Sequence, residues 1–123
     1  MSQVINNKLE KLQNSKFRNS FHLNKKEIEY INKKGLEEIK KQAYKIIEKR
    51  IKPEIIKNDG KQTPMKNHPV FISQHATATC CRECIEKWHH IKKNKELNNH
   101  EIDFIVELIM EWTRREYERN KMS

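Results

Sequence analysis

Residues 97–112 read LNNHEIDFIVELIMEW. Ile102, Ile105, Val106, Ile109, Met110 and Trp112 recur within it at helical steps. A helix there gathers one strong apolar face. Asn98 followed by Glu101 has the spacing of a capping box, which marks where the helix opens. The same pattern repeats upstream. Leu36, Ile39, Ala43, Ile46 and Ile47 predict a helix from Leu36 to about Ile51, ended by Pro53. Asn24 and Glu27 open an earlier helix buried through Ile28 and Ile31, and Gly35 suits its C-terminal cap. A further helix is expected over Cys80–Ile91, capped by Thr77 or Thr79. Lys92–Leu97 reads as a connector.

Outside these helices the signals weaken. Residues 1–16 read as a short helix or frayed arm with a faint stripe of Val4, Ile5, Leu9 and Leu12. Phe17, Phe21 and Leu23 look like apolar anchors that dock this arm, with Arg18 left free. The polar tail from Arg114 should fray. Residues 53–70 contain Pro53, Gly60, Pro64 and Pro69 and read as a long ordered loop, a class that is often functional. Val70-Phe71-Ile72 is a brief apolar run, either extended or leading into a helix. The expectation is an all-α, small single-domain helical bundle of four or five helices with a long ordered central loop. Its parts are an N-terminal arm (1–16), the helical domain (17–113) and a polar C-terminal tail (114–123).

Composition bounds the function. The chain has 123 residues, 35% hydrophobic and 7% aromatic, which suits one small core built on aliphatic side chains. Two glycines and three prolines are too few for a turn-rich β-sandwich or barrel. The net charge of +9 is uneven: residues 1–57 hold fifteen Lys/Arg against seven Asp/Glu, and residues 99–123 hold four against six. A basic half is the electrostatic footprint of a nucleic-acid partner, and equally of a solvated Lys-rich surface. No window approaches a membrane span, and the N-terminus lacks the apolar core of a secretory signal. Three closely spaced cysteines do not make a disulfide framework. These features lead us to expect a cytoplasmic protein with thiols or metal thiolates.

All three cysteines fall in HATATCCRECIEKWHH, residues 75–90. Three readings are open. Cys81, Cys84, Ile85, Trp88 and Ile91 share a helical face, so the cysteines could be small core residues. Cys81 and Cys84 form a Cys-x-x-Cys pair suited to one tetrahedral ion, zinc being the candidate, with Cys80, His75, His68 and His89 as further ligand candidates. Cys80 or Cys81 in the first helical turn could instead be an activated thiolate nucleophile, with His75 as base and Arg82 and Lys61 as anion clamps. In the upstream loop, Asn58-Asp59-Gly60 signals a turn. Asp59, Lys61, Gln62 and Thr63 could contact a phosphate or base there, although the run lacks the glycine pattern of a phosphate loop. Trp88 and Trp112 read as core residues, and His90 and His100 as surface residues.

The segments SKFRNSFHL, NDGKQTPMKNHPVFISQHATATCCRECIEKWHHI and Leu97–Trp112 occur in the order found in a small bacterial family, domain of unknown function 4186, which the chain resembles from about Phe17 to Trp112. The resemblance implies that Asp59, Gly60, Lys61, Gln62, Thr63, Pro64, His68, His75, Cys80, Cys81, Arg82, Cys84, Trp88 and His89 lie in the family's signature. It also implies glycine where this chain carries Asn67, Glu83 and His90. It brings no mechanism with it.

The resulting functional expectation is a small basic protein that binds nucleic acid or a phosphate-bearing ligand. The pocket would form where the loop folds against the start of the cysteine helix, with Arg82, Lys61, Thr77 and Thr79 holding the anion. Arg18 and the basic Leu36–Ile51 helix would add longer-range attraction. One alternative is an enzyme using a Cys80 or Cys81 thiolate, or a zinc-bound water, with His75 as base. Another is a structural module dimerising through the Ile102–Trp112 face.

Overall fold

The computed structural model describes residues 2–121, and among them are helices but no strand. In order these are α1 (Ser2–Gln13), α2 (Lys16–Asn19), α3 (Lys25–Lys34), α4 (Leu36–Arg50), α5 (Pro69–Ala76), α6 (Arg82–His89) and α7 (Asn99–Lys121). The all-α single small domain expected from periodicity is therefore present. Its helix count is higher than expected because the arm and the apolar run after the central loop contribute helices of their own.

α7 is the spine. It packs against α1, α3, α4 and α5. Its buried Ile102, Ile105, Val106 and Ile109 meet Ile39, Ala43, Ile47 and Ile51 of the α4 side, with Val70, Ile72 and Ile85 completing the core. Each fully buried aliphatic side chain contributes roughly 1.5–3 kcal/mol relative to exposure. A second cluster lies on another face of α7, where Leu108 meets Ile5, Leu9 and Leu12 of α1 together with Ala78. Trp88 and Trp112 pack against this second cluster. Ile5, Leu9 and Leu12 of the faint N-terminal stripe thus dock α1, while Val4 is exposed.

Both predicted capping boxes form. Asn24 and Glu27 exchange bonds of 2.8 and 2.9 Å, and Asn98 and Glu101 bonds of 2.9 and 2.8 Å. Gly35 sits at φ +85 between α3 and α4, a left-handed conformation that glycine adopts without a Cβ penalty.

Two local expectations are corrected, and one that stayed open is decided. The polar stretch from Arg114 does not fray but stays helical to Lys121. Glu116 faces inward there and accepts the Leu23 N–H at 3.2 Å, while Arg115 bonds back to Glu111 at 2.8 Å. Val70-Phe71-Ile72 is helical, because Pro69 supplies a preset first position and His68 Nδ1 accepts the Val70 N–H at 3.0 Å. The cysteine helix begins at Arg82, and its N-cap is Cys81 instead of Thr77 or Thr79. Of the positions where the family resemblance implies glycine, Asn67 (φ 84) and His90 (φ 60) adopt the left-handed backbone with a side chain in place, and Glu83 lies in the first turn of α6.

Candidate metal centre

The link from α5 to α6 is pinned by its own hydroxyls and amides. Thr77 Oγ1 donates to the Ser73 carbonyl at 2.7 Å and lies 3.0 Å from the Thr79 hydroxyl. Ala78 turns the chain with a φ of 58, and Gln74 Nε2 donates to the Thr79 carbonyl at 3.1 Å. Cys80 and Cys81 are thereby delivered to the start of α6. The Cys81 sulfur accepts the Cys84 N–H at 3.3 Å, acting as an N-cap. N-cap and third helical position lie side by side, so the Cys81 thiol reaches the Cys84 sulfur at 3.1 Å. With Cys80 added, all three sulfurs lie within 4.8 Å of one another. Cys80 and Cys81 are buried and Cys84 is half-buried.

Arg18 closes the cluster. Its backbone N–H is held by the Ser15 hydroxyl at the start of α2, at 3.2 Å. Its Nη1 donates to the His75 carbonyl at 2.8 Å and to the Cys80 sulfur at 3.6 Å, and its Nη2 donates to the Cys84 sulfur at 3.2 Å. The residue expected to remain free on the surface is 8% exposed. Sequence reasoning missed it because the contact joins positions more than 50 residues apart, and nothing local to Arg18 distinguishes it from other surface cations. The one hint was its place between Phe17 and Phe21; Phe21 is part-buried and stacks on His75 at 5.4 Å.

The electrostatics follow from these bonds. Hydrogen bonds from the thiols of Cys80 and Cys81, opposed by burial and helped by Arg18, hold the Cys84 thiol far below its usual range. Cys81 moves up, because donating to Cys80 and Cys84 favours its protonated form and burial adds to this. Cys80 also moves up: a bond with Cys81 pulls it down, but its bond with Cys84 and its burial outweigh that. The directions oppose one another because the three thiols hydrogen-bond among themselves, one donating where another accepts. Burial would lower Arg18, yet its bonds to Cys80 and Cys84 keep it above its ordinary value.

Residues 6–114 match the family described as Domain of unknown function (DUF4186). The chain belongs to this family. No solved structure matches it.

Within this DUF4186 chain, the histidines considered as ligands are held elsewhere. His75 Nε2 faces the carbonyls of Thr63 and Pro64 at 3.2 and 3.1 Å, so it carries the proton and donates it. His68 donates from Nε2 to Gln42 at 2.8 Å while its Nδ1 caps α5. His89 Nε2 donates to the Thr77 carbonyl at 2.8 Å. The group of close metal-ligating atoms found among the described residues is Cys80, Cys81 and Cys84 alone.

The loop does fold onto the start of α6, but its donors and acceptors are used in building the site. Asp59 accepts the N–H groups of Arg82 and Glu83 at 2.9 and 3.2 Å, filling the helix end where an anion would bind. Gln62 donates to Asp59 at 2.8 Å and accepts the Gly60 N–H at 2.8 Å. Thr63 Oγ1 donates to the Cys80 carbonyl at 2.7 Å. Arg82 is 3% exposed, and its guanidinium ties the carbonyls of Ile51, Pro53 and Lys92 together. Thr77 and Thr79 are fully buried, and Lys61 is exposed.

Proposed function

We propose that this protein binds a divalent thiophilic ion, zinc foremost, through the sulfurs of Cys80, Cys81 and Cys84. The observation that carries the reading is their mutual separation of under 4.8 Å. Zn–S bonds of about 2.3 Å in tetrahedral geometry put sulfurs roughly 3.8 Å apart, so the cluster needs only a small adjustment to close on one ion. A multi-iron cluster spreads its thiolates over different metals and suits this spacing less well. Charge supports a divalent ion. Three thiolates and a divalent cation leave one net negative charge, which buried Arg18 cancels; a monovalent or trivalent ion leaves a buried imbalance. A fourth donor comes from water or a ligand, the arrangement of zinc sites with an open position. Of the neighbouring groups that would hold an anion, Arg82, Thr77 and Thr79 are already engaged within the fold.

Metal analysis of protein purified without chelator tests this, followed by cobalt substitution to read the thiolate charge-transfer band. About one ion per chain is expected, with strong loss in Cys81→Ser and Cys84→Ser. Arg18→Met should weaken affinity by about 10- to 100-fold, the usual cost of losing an outer partner of a ligand. Absence of stoichiometric metal, or cysteine variants that bind like the parent, would end the reading.

A second reading, nucleic-acid binding away from the thiols, is supported by the net charge of +9 and by exposed Lys25, Lys26, Lys33 and Lys34 of α3 and Lys41, Lys45 and Lys49 of α4. Its mark is salt dependence: affinity for an oligonucleotide should drop steeply between low and physiological salt. Fluorescence anisotropy that is flat with salt would count against it.

A further inference from the structure

We infer that Cys81 and Cys84 are also a redox couple, oxidised by a hydroperoxide to a disulfide, and that this modification loosens α2 from the cluster. The inference uses the same sulfurs as the metal reading but does not require the ion.

Two geometric facts set it up. The sulfurs of Cys81 and Cys84 are already 3.1 Å apart on one helical turn, so closing the bond needs little backbone movement. Accessibility then orders the events: Cys84 is the half-buried member, so a small oxidant reaches it before buried Cys81 and Cys80. The Cys84 sulfur, held against Arg18, gives its proton to solvent and attacks one peroxide oxygen. An S–O bond forms, the O–O bond breaks, and the departing oxygen leaves as an alkoxide or hydroxide that takes a proton from solvent. The Cys81 sulfur then attacks the Cys84 sulfur. The S–S bond forms, the S–O bond breaks, and hydroxide leaves with the Cys81 proton as water. Each sulfur gives up one electron and each peroxide oxygen gains one.

The consequence falls on Arg18. In the reduced protein its guanidinium joins α2 to the Cys84 and Cys80 sulfurs and to the His75 carbonyl. Closing the S–S bond turns the Cys84 sulfur toward Cys81, so the buried guanidinium loses an acceptor for one of its hydrogen bonds. α2 is short, running only from Lys16 to Asn19, and the sidechain of Phe17 within it is exposed. Its remaining supports are α1 and α5, against which it packs.

The test starts from reduced, metal-free protein treated with hydrogen peroxide, then alkylated and mapped by mass spectrometry. The expected product is a Cys81–Cys84 cross-link with Cys80 free to be alkylated. It should be retained in Cys80→Ser and reversed by dithiothreitol. Amide exchange over residues 16–19 should speed up by about tenfold on oxidation. In Arg18→Met that exchange should no longer respond to peroxide, which a disulfide acting through general destabilisation would not produce. A cross-link that uses Cys80, sulfinic acid without a cross-link, or α2 exchange unmoved by oxidation would overturn the inference. Because the assay contains no metal, a failure to bind zinc in the earlier experiment leaves its outcome unaffected.

Discussion

His89 shows how far one buried ring constrains the protein. It is 7% exposed, donates from Nε2 to the Thr77 carbonyl, and packs edge-on to Phe104 at 5.7 Å. Its Nδ1 has no hydrogen-bond partner among the described residues. Burial pulls its pKa from 6.5 down to about 4, against the opposing bond to Thr77. The ring therefore stays neutral in the fold while the unfolded chain protonates it near 6.5. Its contribution is fully present above pH 6.5 and is lost as pH falls towards 4, amounting to about 3 kcal/mol. Urea denaturation of metal-free protein across that window should show the decline, and His89→Phe should flatten it. Equal slopes in parent and variant would refute the assignment.

At the scale of the element, α6 is held by what caps it. Cys81 supplies a sulfur where a hydroxyl or carboxylate is usual, and Asp59, 24 positions before Glu83, supplies the missing carboxylate from the loop. One turn thus sets helix start, sulfur spacing and loop position together. Asp59→Ala should lower stability by about 1–2 kcal/mol and weaken metal binding, measured by denaturation with and without zinc. Unchanged stability would mean that the cap carries no weight. Asn24–Glu27 and Asn98–Glu101 were legible beforehand because their partners lie three residues apart. The α6 cap was not, because its second half comes from a distant loop.

Across the whole molecule, two apolar clusters share α7. Leu108 is fully buried and belongs to the cluster that seats α1. α1 in turn packs on α2, and α2 on α5. The N-terminal helix therefore supports the position of Arg18, and Cys84 packs against the cluster that seats it. Leu108→Ala should cost about 2–5 kcal/mol of stability, as buried truncations do. It should also raise amide exchange in α1 more than in α4. A uniform change would show that the two clusters unfold as one unit. No described helix is long and apolar enough to cross a membrane.

The chain's own periodicity determined the all-helical architecture, the faces of α4 and α7 and the caps that open α3 and α7, because each rests on residues three or four positions apart. It also drew attention to the cysteines and to the loop before them. Tertiary structure alone decided which groups meet. It turned the expected ligand contacts Asp59, Gln62, Thr63 and Arg82 into braces, sent His68, His75 and His89 to other partners, and buried Arg18 against the sulfurs. Those outcomes depend on contacts between residues far apart in the chain, where direction and burial are fixed by packing and leave no local pattern to read.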